Sequence, residues 1–408
     1  MIFFPLYIDP GTGSALFSIA IGIAATLYFL SRALILKIKT GFTGGKLSIN
    51  KNYTDKYVIY NEGKQYWSLF KPVLDEFEKN ETELRYLTSA SDDPVFNIDF
   101  KYIKSEFIGE GNKAFSYLNL MSAQVVLMTT PGLDVYQLKR SKAVKHYSHV
   151  IHGTTDATTY RLFGLDYFDS ILLTGQYQGD DIRLLEKQRN IPEKLLVTVG
   201  CSYLDEFEKK ISLVPKEENP PFTVLVSPSW GASAILTRYG EKLLDPLSNS
   251  DFRVIIRPHP QSKISEKPML EKLQNHYKGC KNFEWNFESD NIYCLAKADI
   301  MISDFSGIIF DYMFLFDKPV LYVNHEFDKR PYDADDLEHE LWQFRTLKEA
   351  GIALKDNDFP KITQIIKNAC DNELLAAARK KARETAWQFR GEAGKRTFEF
   401  MTGLLVND

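Results

Sequence analysis

Four cysteines are scattered through 408 residues, Cys201, Cys280, Cys294 and Cys370, and no two form a C-x-x-C pair. That scatter argues against a disulfide framework or a zinc finger and reads as free thiols in a reducing compartment. Positive charge is not in excess either. Fifty Lys and Arg against 54 Asp and Glu leave a formal net charge of −4, whereas a general nucleic-acid binder carries a basic footprint. There is no Walker loop, no G-x-G-x-x-G, no low-complexity tract and no visible repeat. His and carboxylate residues nowhere show metal-ligand spacing, so neither a protein-held metal nor a tightly bound cofactor is expected.

What is present begins with an apolar N-terminal run. Residues 15–30 carry no charge, and residues 33–36 extend the run past Arg32, about the length needed to cross a bilayer. No Lys or Arg precedes it, whereas Arg32, Lys37, Lys39, Lys46 and Lys51 follow. A secretory signal wants its positive charge first, so the run reads as an uncleaved anchor over residues 14–37. Residues 1–13 then lie outside, a linker spans 38–50, and the positive-inside bias puts the body in the cytoplasm. The expected location is the cell membrane, with a single pass.

The body alternates short apolar runs with helical patterns. Strands are expected at 57–60, 83–88, 101–107, 124–129, 149–151, 170–174 and 195–199, with helices such as 66–77 and 113–120 between some of them. Residues 209–221 are charged, contain proline and lack periodicity. Beyond them the alternation restarts with strands at 223–226, 253–256, 283–285, 300–302 and 320–323, and helices close the chain at 361–370 and 373–389. Alternation of this kind predicts an α/β class with two doubly wound, Rossmann-like domains, residues 51–215 and 216–408, facing a cleft. In such sheets ligands sit beyond the carboxyl ends of the strands.

Three strand ends carry chemistry. His152 leaves the run Val150-Ile151 into Gly153 and Thr154, where an imidazole can exchange protons near neutrality. Arg257 follows Ile255-Ile256 and precedes Pro258-His259-Pro260, a fork for phosphate oxygens beside a second imidazole in a proline-stiffened loop. Ser303, Asp304, Ser306 and Gly307 lie between a buried run and a helical repeat at Ile308, Ile309, Tyr312, Leu315 and Phe316. A helix start of that kind attracts anions, phosphate above all. Ser229, in Ser227-Pro228-Ser229-Trp230 after another strand, is a weaker fourth site.

Taken in order, HGT at 152–154, RPHP at 257–260, SDFSGIIFD at 303–311 and KPVLYV at 318–323 resemble the CDP-glycerol glycerophosphotransferases, the membrane-associated teichoic acid primases and polymerases. The opening Asn61-Glu62-Gly63-Lys64 with Lys71-Pro72, and the closing Gly391-Glu392-Ala393-Gly394-Lys395-Arg396, are similar to that family's ends. The resemblance implies a GT-B fold and transfer of a polyol phosphate from a CDP-activated donor, CDP-glycerol or a related CDP-polyol, with release of CMP. The acceptor it implies is a hydroxyl of an envelope polymer or lipid-linked chain.

On this resemblance His152 is the base on the acceptor hydroxyl and His259 stabilises or protonates the donor pyrophosphate beside Arg257. Ser303, Asp304, Ser306 and Gly307 sit at the donor phosphates, and Gly153, Thr154, Ser229 and Asp311 give support. Thr155-Asp156-Ala157 stand where the family has proline and a Leu-Lys pair, and Gly307 replaces the second serine of its SDYSS. A nucleotide-sugar glycosyltransferase, a sugar-nucleotide 2-epimerase and a membrane-tethered, non-catalytic nucleotide binder would share the fold and remain open at this point.

Overall fold

Successive side chains of a strand point to opposite faces, so a strand apolar at every position is buried on both. The first strand, β1 (Asp55–Asn61), is of this kind over Tyr57–Tyr60: Val58 and Tyr60 enter one core, Tyr57 and Ile59 the other. β4 (Ala123–Met128) repeats the pattern, with Val126 and Met128 on the first face and Val125 and Leu127 on the second. These are facts of a computed structural model that describes residues 55–405 except 216, 289, 325 and 326. The expected anchor, the residues before it and the linker lie outside the described residues. Among the described residues no helix is long and apolar enough to cross a membrane.

Around β1 and β4, the first sheet adds β2 (Leu84–Thr88), β3 (Ile103–Phe107), β5 (Val144–Val150), β6 (Ser170–Leu173) and β7 (Leu195–Thr198). Its order is β3-β2-β1-β4-β5-β6-β7, parallel throughout. The second sheet has β8 (Thr223–Val226), β9 (Arg253–Ile256), β10 (Phe283–Trp285), β11 (Ile300–Ser303), β12 (Val320–Val323) and β13 (Ile352–Leu354). Its order β10-β9-β8-β11-β12-β13 is again parallel. In both sheets the order reverses beside the first strand, which opens a crevice at its carboxyl end. The expectation of two Rossmann-like lobes is met. β13 is an addition: three residues at a sheet edge, with Ile352 and Ala353 not fully buried, leave too short a pattern to read.

Helices cover both sheets. In the first lobe they include α1 (Trp67–Lys79), α2 (Tyr177–Arg189) and α3 (Ser202–Ile211); in the second, α4 (Ile235–Ser248), α5 (Ile308–Phe316) and α6 (Trp342–Ala350). The chain then returns through α7 (Glu373–Ala386) and α8 (Ala393–Gly403), and α8 packs against α1 of the first lobe. A Cβ on Gly394 would come within 2.5 Å of the Pro72 carbonyl oxygen, so only glycine permits this helix approach. Two of the terminal sequence motifs therefore meet in space. Asp205 of α3 holds the return, accepting from the Trp387 indole at 2.7 Å and from the Gly391 and Ala393 amides at 2.8 and 3.1 Å.

Candidate functional site

The carboxyl ends of β4, β5, β8, β9 and β11 carry the residues of interest, and the lobes approach each other at the His152 loop. A Cβ placed on Gly307 would have one neighbour within 4 Å, the Thr155 methyl of the other lobe at 3.9 Å. Thus the loop holding His152 faces the start of α5. Gly153 borders open space, since a Cβ there would meet nothing within 4 Å.

His152 is set by what lies behind it. Its Nδ1 is 3.1 Å from the Thr129 hydroxyl and 3.0 Å from the Tyr160 hydroxyl, and its ring lies 5.1 Å from that of Tyr66. Burial depresses its pKa to about 4, so the imidazole is neutral at ordinary pH. The loop after it is clamped from α2. Gln178 donates to the carbonyls of Gly153 and Thr155 at 3.1 and 2.8 Å, and the Tyr177 hydroxyl donates to that of Thr154 at 2.7 Å. The Thr154 hydroxyl itself is buried without a partner among the described residues.

His259 is held differently. Its Nδ1 accepts from the Gln261 amide at 3.1 Å, which leaves the ring proton on Nε2 as a donor. Partial burial lowers its pKa, while Asp304 and Glu266 pull the other way. The half-exposed Trp230 lies beside it, ring centroids 6.4 Å apart and 30° from parallel.

Three residues expected at the donor phosphates do other work. Asp304 is buried, and its carboxylate accepts from the amides of Ser229 at 3.0 Å and Ile235 at 2.9 Å, fastening the loop after β8. A carboxylate committed to backbone amides in the core is no phosphate ligand, because like charges repel. Ser303 is also buried and donates to the Ser227 carbonyl at 2.5 Å. Arg257 turns its guanidinium to the end of β10, where it donates to the Asn286 side chain and, at 2.9 Å, to the Glu288 carbonyl. Ser306 and Gly307, in contrast, are accessible at the start of α5. Ser229 places its amide on Asp304 and leaves its hydroxyl buried without a partner among the described residues. Asp311, one turn into α5, accepts from the Tyr203 hydroxyl at 3.0 Å, and burial pushes its carboxyl up to about 7.

Sequence reasoning missed Asp156. Its carboxylate accepts from the Trp342 and Gln343 amides at 2.9 and 2.8 Å and so caps α6 of the other lobe. Residues 327–341, leading into α6, carry further links. Asp333 accepts from the Phe163 amide at 2.7 Å and pairs with Arg189 at 2.7 Å, its own amide donates to the Tyr160 carbonyl at 2.9 Å, and His339 meets Asp181 at 2.8 Å. No local pattern marks residues that act across 144 or more positions of chain. Among the described residues no three His, Cys, Asp or Glu side chains cluster as a metal site.

The chain has counterparts among known proteins. Residues 224–341 match the model of a family described as CDP-Glycerol:Poly(glycerophosphate) glycerophosphotransferase, a span running from β8 through α5 to the foot of α6. Among solved structures, the wall teichoic acid polymerase TagF with CDPG is 13% identical, with 92% of this chain and 97% of that one covered at a TM-score of 0.55. A putative UDP-N-acetylglucosamine 2-epimerase from Listeria monocytogenes is 14% identical over 87% and 98% of the two chains, TM-score 0.57. The UDP-GlcNAc 2-epimerase of Methanocaldococcus jannaschii, in complex with UDP-GlcNAc and UDP, is 14% identical over 85% and 99%, TM-score 0.54. No protein with a curated description matches. At such identities the structural likeness speaks for the fold, which is of the GT-B type.

Proposed function

We propose that this chain, whose residues 224–341 match the CDP-glycerol:poly(glycerophosphate) glycerophosphotransferase family, is an enzyme of that type and moves glycerol phosphate or a similar polyol phosphate from a CDP-activated donor to a hydroxyl of an envelope polymer or lipid-linked chain. The observation that carries this reading is the meeting of the His152 loop with the start of α5, Thr155 against Gly307. A donor diphosphate rests on the free end of α5 at Ser306 and Gly307, where helix amides favour anions. His259 gives its Nε2–H to a diphosphate oxygen.

His152 Nε2 takes the proton of the acceptor hydroxyl. The acceptor oxygen forms a bond to the distal phosphorus, the bond from that phosphorus to the bridging oxygen breaks, and CMP leaves with the bonding pair. Phosphoryl transfer asks mainly for alignment and charge neutralisation, which these groups supply. Arg257, Ser303, Asp304, Ser229 and Asp311 act from behind, by holding loops and the helix in place. The apolar run 14–37, with Lys and Arg after it, supports a single-pass anchor that keeps the body at the cytoplasmic face, close to a membrane-bound acceptor.

The test is a donor screen. CDP-glycerol, CDP-ribitol and UDP-sugars are supplied separately to the full chain in membranes, and released nucleotide is identified by mass. CMP from a CDP-polyol, lost in His152→Ala, supports the reading; UDP release with no CMP from any donor overturns it in favour of a nucleotide-sugar enzyme.

A further inference from the structure

Behind His152 lie two hydroxyls and a second imidazole that no sequence motif marks. Thr129 closes β4 and Tyr160 lies in the loop after β5, and both hydroxyls face one ring nitrogen, Nδ1 of His152. The Thr129 hydroxyl is 2.8 Å from the Val150 carbonyl, an acceptor with no proton of its own, so Thr129 donates there. It then offers only lone pairs to Nδ1. Tyr160 is also 3.2 Å from Nε2 of His149, which is wholly buried. Its hydroxyl proton has a destination on that side, and its oxygen is left to accept from His152.

From this geometry we infer that Thr129 and Tyr160 are positioning residues that hold His152 as the Nδ1–H tautomer, with His149 drawing the Tyr160 proton away, so that Nε2 keeps its lone pair for the acceptor hydroxyl. The inference rests on the reading of His152 as the base. The reversed set of protons would turn the Thr129 and Nδ1 lone pairs towards each other at 3.1 Å. The forward set has a cost of its own, since Nδ1 of His149 has no partner among the described residues and its N–H is stranded in the core. Free imidazole side chains favour the Nε2–H form, so the Nδ1–H form needs an acceptor behind it.

This cradle replaces the carboxylate of a Ser-His-Asp arrangement with neutral oxygens. The titratable groups around the ring are Tyr66, Tyr160 and His149. Glu62, the nearby carboxylate, acts on Tyr66 rather than on His152. The second lobe supports the cradle from outside, through the Asp333 amide on the Tyr160 carbonyl.

The experiment labels the full chain with ring-15N histidine and reads the His152 tautomer by NMR at neutral pH, alongside steady-state CMP release. Wild type is expected to be Nδ1–H. Tyr160→Phe, Thr129→Val and His149→Phe should each shift His152 towards Nε2–H and lower kcat about tenfold with donor KM unchanged, while Thr129→Ser restores both. His149→Phe is the sharpest case, because it removes the acceptor that draws the Tyr160 proton away from His152. An Nε2–H tautomer in the wild type, or one that none of the three variants moves, overturns the inference. Should no donor yield CMP, the functional reading fails alone, and the tautomer measurement still decides this one.

Discussion

The two lobes present their histidines in opposite ways. In the first, His152 faces two hydroxyl oxygens across Nδ1 and no charged group acts on it, and in the inferred tautomer its Nε2 keeps a lone pair. In the second, His259 faces an amide across Nδ1, lies near Asp304 and Glu266, and its free nitrogen bears a proton. On the proposed reading, one lobe takes a proton and the other gives a hydrogen bond. The difference lies in the shell behind each ring, since the rings are the same.

The largest expected effect breaks this asymmetry directly. Glutamine has an amide N–H that can stand in for an imidazole Nε2–H but has no basic nitrogen. His152→Gln should lower kcat for CMP release by ~10²–10⁴-fold, and His259→Gln should lose at least about tenfold less. Equal losses would show that both rings do the same task.

Next come the carboxylates that fasten each side. Asp304→Ala strands two buried amides, those of Ser229 and Ile235, and should cost ~2–4 kcal/mol in urea unfolding. Asp311 works in the other direction. Its carboxyl is raised from 3.8 to about 7, so between those values the folded state keeps a proton that the unfolded chain releases. Its contribution is full below pH 3.8 and is lost as pH rises to about 7. Asp311→Asn should therefore stabilise the protein by ~1–3 kcal/mol above neutrality, with the gain vanishing in acid; a pH series of unfolding midpoints checks the sign.

The smallest effect belongs to the link between the lobes. Asp156→Ala removes the cap of α6 and should cost ~1–2 kcal/mol. Hydrogen exchange should speed up at the Trp342 and Gln343 amides and in the loop after His152. If exchange rises in α6 alone, Asp156 is a cap and nothing more. Burial also raises the Asp156 carboxyl, to about 6, with the same sign as Asp311.

Much of the fold was legible because parallel strands buried on both faces leave unbroken apolar runs, as at 300–302 and 320–323. The candidate site was legible where a residue's position follows from its place in the chain. His152 and His259 leave strands into Gly or Pro turns, and Ser306 and Gly307 open a helix. The inward bonds of Asp304 and Ser303 were not legible, because a residue at a helix start can face a ligand or the neighbouring strand, and sequence carries no sign of which. Here the loop after β8 has amides that need acceptors, and these two supply them.

By itself the sequence determined the two parallel sheets, their crevices and the residue types available at each strand end, since periodicity and turn chemistry act over a few residues. Only the tertiary structure decided which oxygens stand behind each imidazole, and that Asp156 of one lobe caps a helix of the other. Those outcomes depend on groups brought together from distant parts of the chain, and a hydrogen bond is set by distance and angle in space rather than by spacing along the backbone.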